Sequence, residues 1–153
     1  MINLIVKDSD LRSDLFIWRG GVPLSEIEEW EREQSVSVPD DLKRLWNAKG
    51  GGDFFESEAI LQPSGADEDD LVLPRSRWFW GRGLDSHCYV FHEGLYVSTF
   101  RKSDDLLRTL DSSSFNVVGT FRTLDDWYLS SRAEYGDRYD LAGPRLQADS
   151  PDS

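Results

Sequence analysis

The chain has 153 residues and a formal net charge of −12, with 29 Asp and Glu against 17 Lys and Arg. One domain of this length buries about two-thirds of its unfolded surface, so no disulfide framework is needed, and the lone Cys88 has no internal partner. The charge opposes binding to nucleic-acid phosphate or anionic membranes, and no apolar run approaches the roughly 20 residues of a membrane-spanning helix.

The N-terminal MINLIVKDSD lacks the basic region and long apolar run of a signal peptide, so a reducing, cytoplasmic setting is expected. In residues 1–23 the apolar Leu4, Val6, Leu11, Leu15, Phe16, Ile17 and Trp18 are followed by Gly20, Gly21 and Pro23. This segment reads as an arm packed on the body, with Phe16, Ile17 and Trp18 as a short edge strand.

Residues 24–52, LSEIEEWEREQSVSVPDDLKRLWNAKGGG, read as two short amphipathic helices and a glycine break. Ser25 with Glu28 fits a capping box, and the first helix is pinned by Ile27 and Trp30, with Leu24 also apolar. Its acids Glu26, Glu28, Glu29, Glu31 and Glu33 are expected largely in water. The second helix places Pro39 at its first position and Asp40 and Asp41 in its first turn, where they suit the helix dipole. Val38, Leu42, Leu45 and Trp46 recur at the spacing of a buried face. Gly50, Gly51 and Gly52 then predict a tight turn or a close backbone approach. A phosphate cradle would require a following helix and a Lys with Ser or Thr, which the sequence does not supply there.

Residues 54–61, FFESEAIL, read as one strand bounded by glycine and proline. On such a strand Glu56 and Glu58 share a face about 7 Å apart, a spacing compatible with inverting glycosidases but common on strand surfaces. Residues 63–70, PSGADEDD, form an acidic loop. An EF-hand would need an oxygen ligand and a glycine where Leu71 and Val72 stand, so no metal site is expected. Between residues 50 and 74 there is no Lys or Arg, while Asp53, Glu56, Glu58, Asp67, Glu68, Asp69 and Asp70 are all acidic, which predicts a concentrated negative field. In residues 71–83, Arg75, Arg77 and Arg82 surround Trp78, Phe79 and Trp80. Single-stranded nucleic acid can bind such a pattern, but the patch is short and lies in an acidic chain, so the arginines are expected to pair with neighbouring carboxylates.

Residues 87–100, HCYVFHEGLYVSTF, predict a hairpin turning at Glu93 and Gly94, with His92 opposite Leu95, Val90 opposite Val97 and Cys88 opposite Thr99. Its aromatic face, Tyr89, Phe91, Tyr96 and Phe100, is expected to be covered only in part. His87 and His92 point to opposite faces, and Cys88 lies about 13 Å from His92 along the strand, so these three do not converge on a metal. Residues 106–110 and 115–121 predict two more strands around the turn at 111–114. Thr123 caps a last helix with Asp125 and Asp126 in its first turn and Leu124, Trp127, Tyr128, Tyr135 and Tyr139 as apolar surface. The fold class is α+β: an antiparallel sheet of about four to six strands packed against N-terminal helices and a C-terminal helix. One domain over residues 1–143 is followed by a polar tail at 144–153.

Ile27, Trp30, Glu31, Val38, Pro39, Leu42, Leu45, Trp46, Gly50 and Gly51, in that order, with FRTLDDWY at 121–128, resemble the SUKH superfamily. That group includes many bacterial immunity proteins and a yeast cell-wall-synthesis regulator. The resemblance implies a non-catalytic protein that neutralises a cognate, basic toxin, a nuclease or deaminase, by occlusion. It implies alternatively a regulatory scaffold of cell-wall or stress physiology with an endogenous partner. Charge and aromatic placement nominate Glu56, Glu58, Asp67, Glu68, Asp69, Asp70, Trp78 and Trp80 as partner contacts. Ile27, Trp30, Pro39, Leu42, Trp46, Gly50, Gly51 and Trp127 are assigned to the scaffold. No catalytic constellation, cofactor or metal is expected, and the free protein is expected to be a monomer or weak dimer.

Overall fold

The computed structural model describes residues 3–139 and 141; the tail expected at 144–153 lies outside them. Helix α1 (Leu4–Leu11) leads into strand β1 (Phe16–Trp18), helices α2 (Leu24–Gln34) and α3 (Asp40–Lys49), and strands β2 (Gly52–Phe54) and β3 (Glu58–Ile60). Helix α4 (Val72–Trp80) then precedes strands β4 (Cys88–Glu93), β5 (Val97–Arg101), β6 (Asp104–Leu110) and β7 (Val117–Phe121), and helix α5 (Leu124–Ala133) closes the order. All seven strands form one antiparallel sheet in the order β1-β2-β3-β4-β5-β6-β7. The class is α+β as expected, but the strand count is seven. One added strand comes from 54–61, which folds as a hairpin: Phe55 and Glu56 take positive φ values of 51° and 68° and turn the chain between β2 and β3.

Tryptophan knits the inner layer. Trp30 of α2 and Trp46 of α3 meet edge-on at 6.2 Å, and both pack edge-on against Phe100 of β5. Trp46 also donates its indole N–H to the carbonyl of Leu61 at 2.8 Å, which joins α3 to the sheet through a satisfied buried polar group. Ile27, Leu42, Leu45 and Trp127 are buried, as the helical spacing predicts. Leu24 is not; it stands half exposed at the first position of α2.

Several local expectations are corrected. The Ser25–Glu28 capping box does not form, because the fixed φ of Pro23 starts the helix two residues earlier and the Pro23 carbonyl already accepts from Glu26 and Ile27. Pro39 likewise caps α3 rather than opening it, and its carbonyl accepts from Lys43. Glu31 is drawn out of water: its carboxylate accepts from the Val38 amide at 2.7 Å and pairs with Lys43 at 2.9 Å, tying the α2–α3 corner. Thr123 does cap α5, accepting from the Asp126 amide at 3.1 Å.

The glycine triplet is a crossing of backbones. A Cβ at Gly50 would lie 2.1 Å from the Gly20 carbonyl oxygen, and one at Gly51 2.4 Å from that of Ile60, while Gly50 itself sits at φ +76°. Gly51→Ala is therefore expected to lower stability by about 1–3 kcal/mol, the range for overpacking a filled site. Urea unfolding checks this, with Gly81→Ala as the control, since its Cβ would meet nothing closer than 3.5 Å.

The β4–β5 hairpin differs from its expected register. Gly94, Leu95 and Tyr96 make the turn, Glu93 pairs with Val97 and His92 with Ser98, and a bulge at Phe91 shifts the remainder so that Val90 faces Thr99 and Cys88 faces Arg101. The aromatic face is not an open surface: Tyr89, Phe91 and Phe100 are buried against Trp30, Trp46 and Trp127.

No periodicity announces α4, because Pro74 and three aromatics interrupt the pattern; Pro74 falls in the first turn, where a missing N–H costs nothing. This helix compensates for the shortness of β3. Beyond Leu61, whose amide donates to the Phe91 carbonyl, β4 has no strand neighbour on its β3 side, and α4 supplies hydrogen bonds there from side chains. Ser76 Oγ accepts from the Val90 amide at 2.8 Å, and the Trp80 indole donates to the Cys88 carbonyl at 2.7 Å. At the far edge, Val118 of β7 is the extra residue of a bulge, which blunts that edge against stray pairing.

Candidate partner-binding surface

The chemistry-bearing residues divide into a buried set and a surface set. Glu58 belongs to the first. It is 3% exposed and receives His92 Nε2 on Oε1 at 2.7 Å, and the Leu95 amide at 2.9 Å and the Tyr135 hydroxyl on Oε2. His92 Nδ1 meets Ser98 Oγ at 2.8 Å, and Ser98 Oγ also accepts the Trp127 indole N–H at 2.8 Å. Read as types alone, Glu58, His92 and Ser98 form an acid–base–hydroxyl line. Its geometry is that of a structural brace: His92 and Ser98 are buried, and the lone pair a nucleophile would need is occupied by Trp127. Burial pushes the Glu58 carboxyl up, but the hydrogen bonds from His92, Tyr135 and Leu95 outweigh it and hold the group below its ordinary 4.5.

A second buried set joins the two ends of the described chain. Asp8 of α1 accepts from Arg132 Nε of α5 at 2.7 Å and from the Tyr128 hydroxyl. Burial, with the neighbouring Asp8 carboxylate, pushes the Tyr128 hydroxyl far up, so it stays a neutral donor. Neither set was visible in sequence, because partners 34 and 124 residues apart leave no local spacing signal.

The surface set starts at the acidic loop. Asp67, Glu68 and Asp69 are exposed in a short 3-10 turn, Glu68–Asp70, directly before α4, and none of the three forms an ion pair among the described residues. Asp70 is engaged by Arg19 at 2.8 Å, and Arg19 also reaches Asp53 at 3.5 Å. On α4, Trp78 is 43% exposed with the Arg82 guanidinium stacked 3.8 Å from its ring centroid and that of Arg75 at 4.7 Å. Arg75 is held by Glu93 through two hydrogen bonds of 2.7 and 2.8 Å, the carboxylate pairing expected of it, whereas Arg82 stacks on Trp78 instead.

The eight nominated contacts thus separate. Asp67, Glu68, Asp69 and Trp78 are all exposed, the three acids directly before α4 and Trp78 near its C-terminal end, and Asp70 follows the acids in an ion pair. Glu56 is exposed in the β2–β3 turn, 3.3 Å from Arg138. Glu58 and Trp80 are corrections: Glu58 faces the interior because it follows the turn, and Trp80 is spent on the Cys88 carbonyl. Glu56 and Glu58 do not form the paired carboxylates of a glycosidase, since one is in solvent and the other buried. Among the described residues no group of three metal-ligating side chains converges, and no helix is long and apolar enough to cross a membrane. No family model matches the sequence, and no curated protein matches it.

Proposed function

We propose that this chain is a non-catalytic binding protein of the SUKH kind, an immunity protein that neutralises a basic toxin by covering its active or substrate-binding surface. The observation that carries this reading is that three exposed carboxylates, Asp67, Glu68 and Asp69, which form no ion pair among the described residues, lead directly into the helix that carries the exposed, arginine-stacked Trp78. Free carboxylates raise the encounter rate with a basic partner, and a large aromatic held in place by neighbours buries area at little entropic cost. The acid–base–hydroxyl line of Glu58, His92 and Ser98 is closed inside the core, which favours binding over catalysis.

Co-expression with the toxin encoded beside it tests the reading. Protection of the cell and a 1:1 complex weakened by salt are expected; failure to protect overturns it in favour of an endogenous partner. Reversing Asp67, Glu68 and Asp69 to lysine is expected to slow association at low salt at least about tenfold, with little change in dissociation, as for steering charges at a rim. Stopped-flow mixing reads both rates, and an unchanged on-rate removes the loop from the interface.

A further inference from the structure

The two faces of the sheet are unequally covered over β1–β4. Ile17, Asp53, Ala59 and Glu93 stand directly opposite one another across these four strands, and so share one face. The next row, Trp18, Gly52, Ile60 and His92, points the other way, into the layer of α2, α3 and α5. On the outer face Ile17 is 72% exposed and Asp53 is exposed, whereas Val97, Thr99 and Leu110 farther along the sheet are buried. Helix α4 accounts for the difference. Its Arg75 reaches Glu93 at the end of the open row, and the helix packs on the sheet chiefly at β4.

The result is a shelf whose floor sets the exposed Asp53 between Ile17 and Ala59, with further acids at its border. A recess of about 530 Å³ runs where the sheet meets α4, with Ala59 and Leu61 as floor and Asp69, Arg75 and Glu93 as wall. Asp69, Asp70 and Glu93 border the shelf and Asp53 stands in its floor; among the described residues Arg19 pairs with Asp53 and Asp70, and Arg75 with Glu93. At about 4.8 Å per strand the row is about 14 Å across, and a helix with its side chains is about 10–12 Å in diameter. The open width therefore takes one helix laid beside α4.

We infer that this shelf docks a basic amphipathic helix of the partner, with apolar side chains on Ile17 and Ala59, a Lys or Arg between them at Asp53, and further Lys or Arg side chains against Asp69 and Asp70. The basic character of the partner rests on the binding reading above; the shelf itself rests on the strand register. The occupant completes the outer layer that α4 begins. A second copy of the chain is a poor occupant, since it too carries a charge of −12.

The test uses the full chain and a synthetic helical peptide of about 18 residues, five turns, with a leucine stripe flanked by lysines, beside a twin in which glutamates replace the lysines. Titration calorimetry is expected to show binding of the lysine peptide and not of the glutamate twin. Ile17→Arg and Asp69→Lys are each expected to weaken it at least about tenfold by placing like charge on the rim. Val118→Arg, on the opposite edge of the sheet, is expected to leave it unchanged. Absence of binding, equal binding of the twin, or indifference to Ile17→Arg each overturns the shelf. Because no toxin takes part, that failure leaves the immunity reading standing, and failure of protection leaves the shelf standing.

Discussion

Glu58→Ala is expected to cost about 3–5 kcal/mol, since each buried donor left without an acceptor costs about 1–3 kcal/mol. Three donors, His92 Nε2, the Leu95 amide and the Tyr135 hydroxyl, lose their acceptor at once, the first and last of them in buried bonds. Glu58→Gln keeps the shape and one carbonyl oxygen, so it should cost less, about 1–2 kcal/mol. The amide of the glutamine can still donate to His92 if the imidazole proton moves to Nδ1 and is accepted by Ser98, whose own hydroxyl then turns toward Thr109 at 3.4 Å. Urea unfolding of the three proteins measures the series, and an alanine variant within about 1 kcal/mol of the parent would show the brace to be dispensable.

The same brace sets a pH profile. The folded Glu58 carboxyl is held below 4.5, so its contribution is present above that value and is lost as pH falls through the lowered one. Tyr135 behaves in the opposite sense: burial, then its hydrogen bond to Glu58, raises its hydroxyl from 10.0 to about 12. Its contribution is complete below 10 and is lost as pH rises toward 12. Stability should thus fall at both ends, with Glu58→Gln flattening the acid limb and Tyr135→Phe the alkaline one, read from unfolding midpoints across pH.

The second large effect belongs to Asp8. Asp8→Ala leaves the Arg132 guanidinium buried without its carboxylate and is expected to cost about 3–5 kcal/mol. At about 2–4 °C per kcal/mol for a chain of this size, the melting temperature should drop by about 6–20 °C. Pairing the change with Arg132→Met is expected to recover much of the loss, because an apolar replacement of both ions removes the desolvation cost along with the attraction. A double-mutant cycle isolates the coupling, and additive losses would contradict the geometry.

What the sequence discloses follows the range of the forces involved. The second helix, the glycine crossing and the Thr123 cap are each written within about one or two turns of chain, and each appears where its residues point. Helix α1 hides because its inward face carries the polar Asp8 and Ser9, which become core residues only when Arg132 and Tyr128 arrive from α5. The β2–β3 turn hides because its positive φ values fall on Phe55 and Glu56 instead of glycine, held there by Phe55 packing on Phe16, Phe54 and Tyr135. The hairpin register slips because a bulge at Phe91 is decided by Trp127 and α4, not by the turn. Composition alone locates the acidic loop and Trp78. It cannot separate Glu56 from Glu58, whose fates are set by a partner 34 residues away.

The strand order repeats the order of synthesis, and this has a temporal meaning. Each hairpin can close from chain that has already left the ribosome, so the sheet grows by addition at one edge. Helix α1 is made early, yet its carboxylate waits for a guanidinium 124 residues downstream. Its docking is thereby assigned to the end of folding, after the rate-limiting step. An interaction made that late governs how fast the native chain comes apart and hardly how fast it assembles. Asp8→Ala should accordingly accelerate unfolding while the refolding arm of its chevron overlays that of the parent, and a matching fall in refolding rate would place α1 in the nucleus instead.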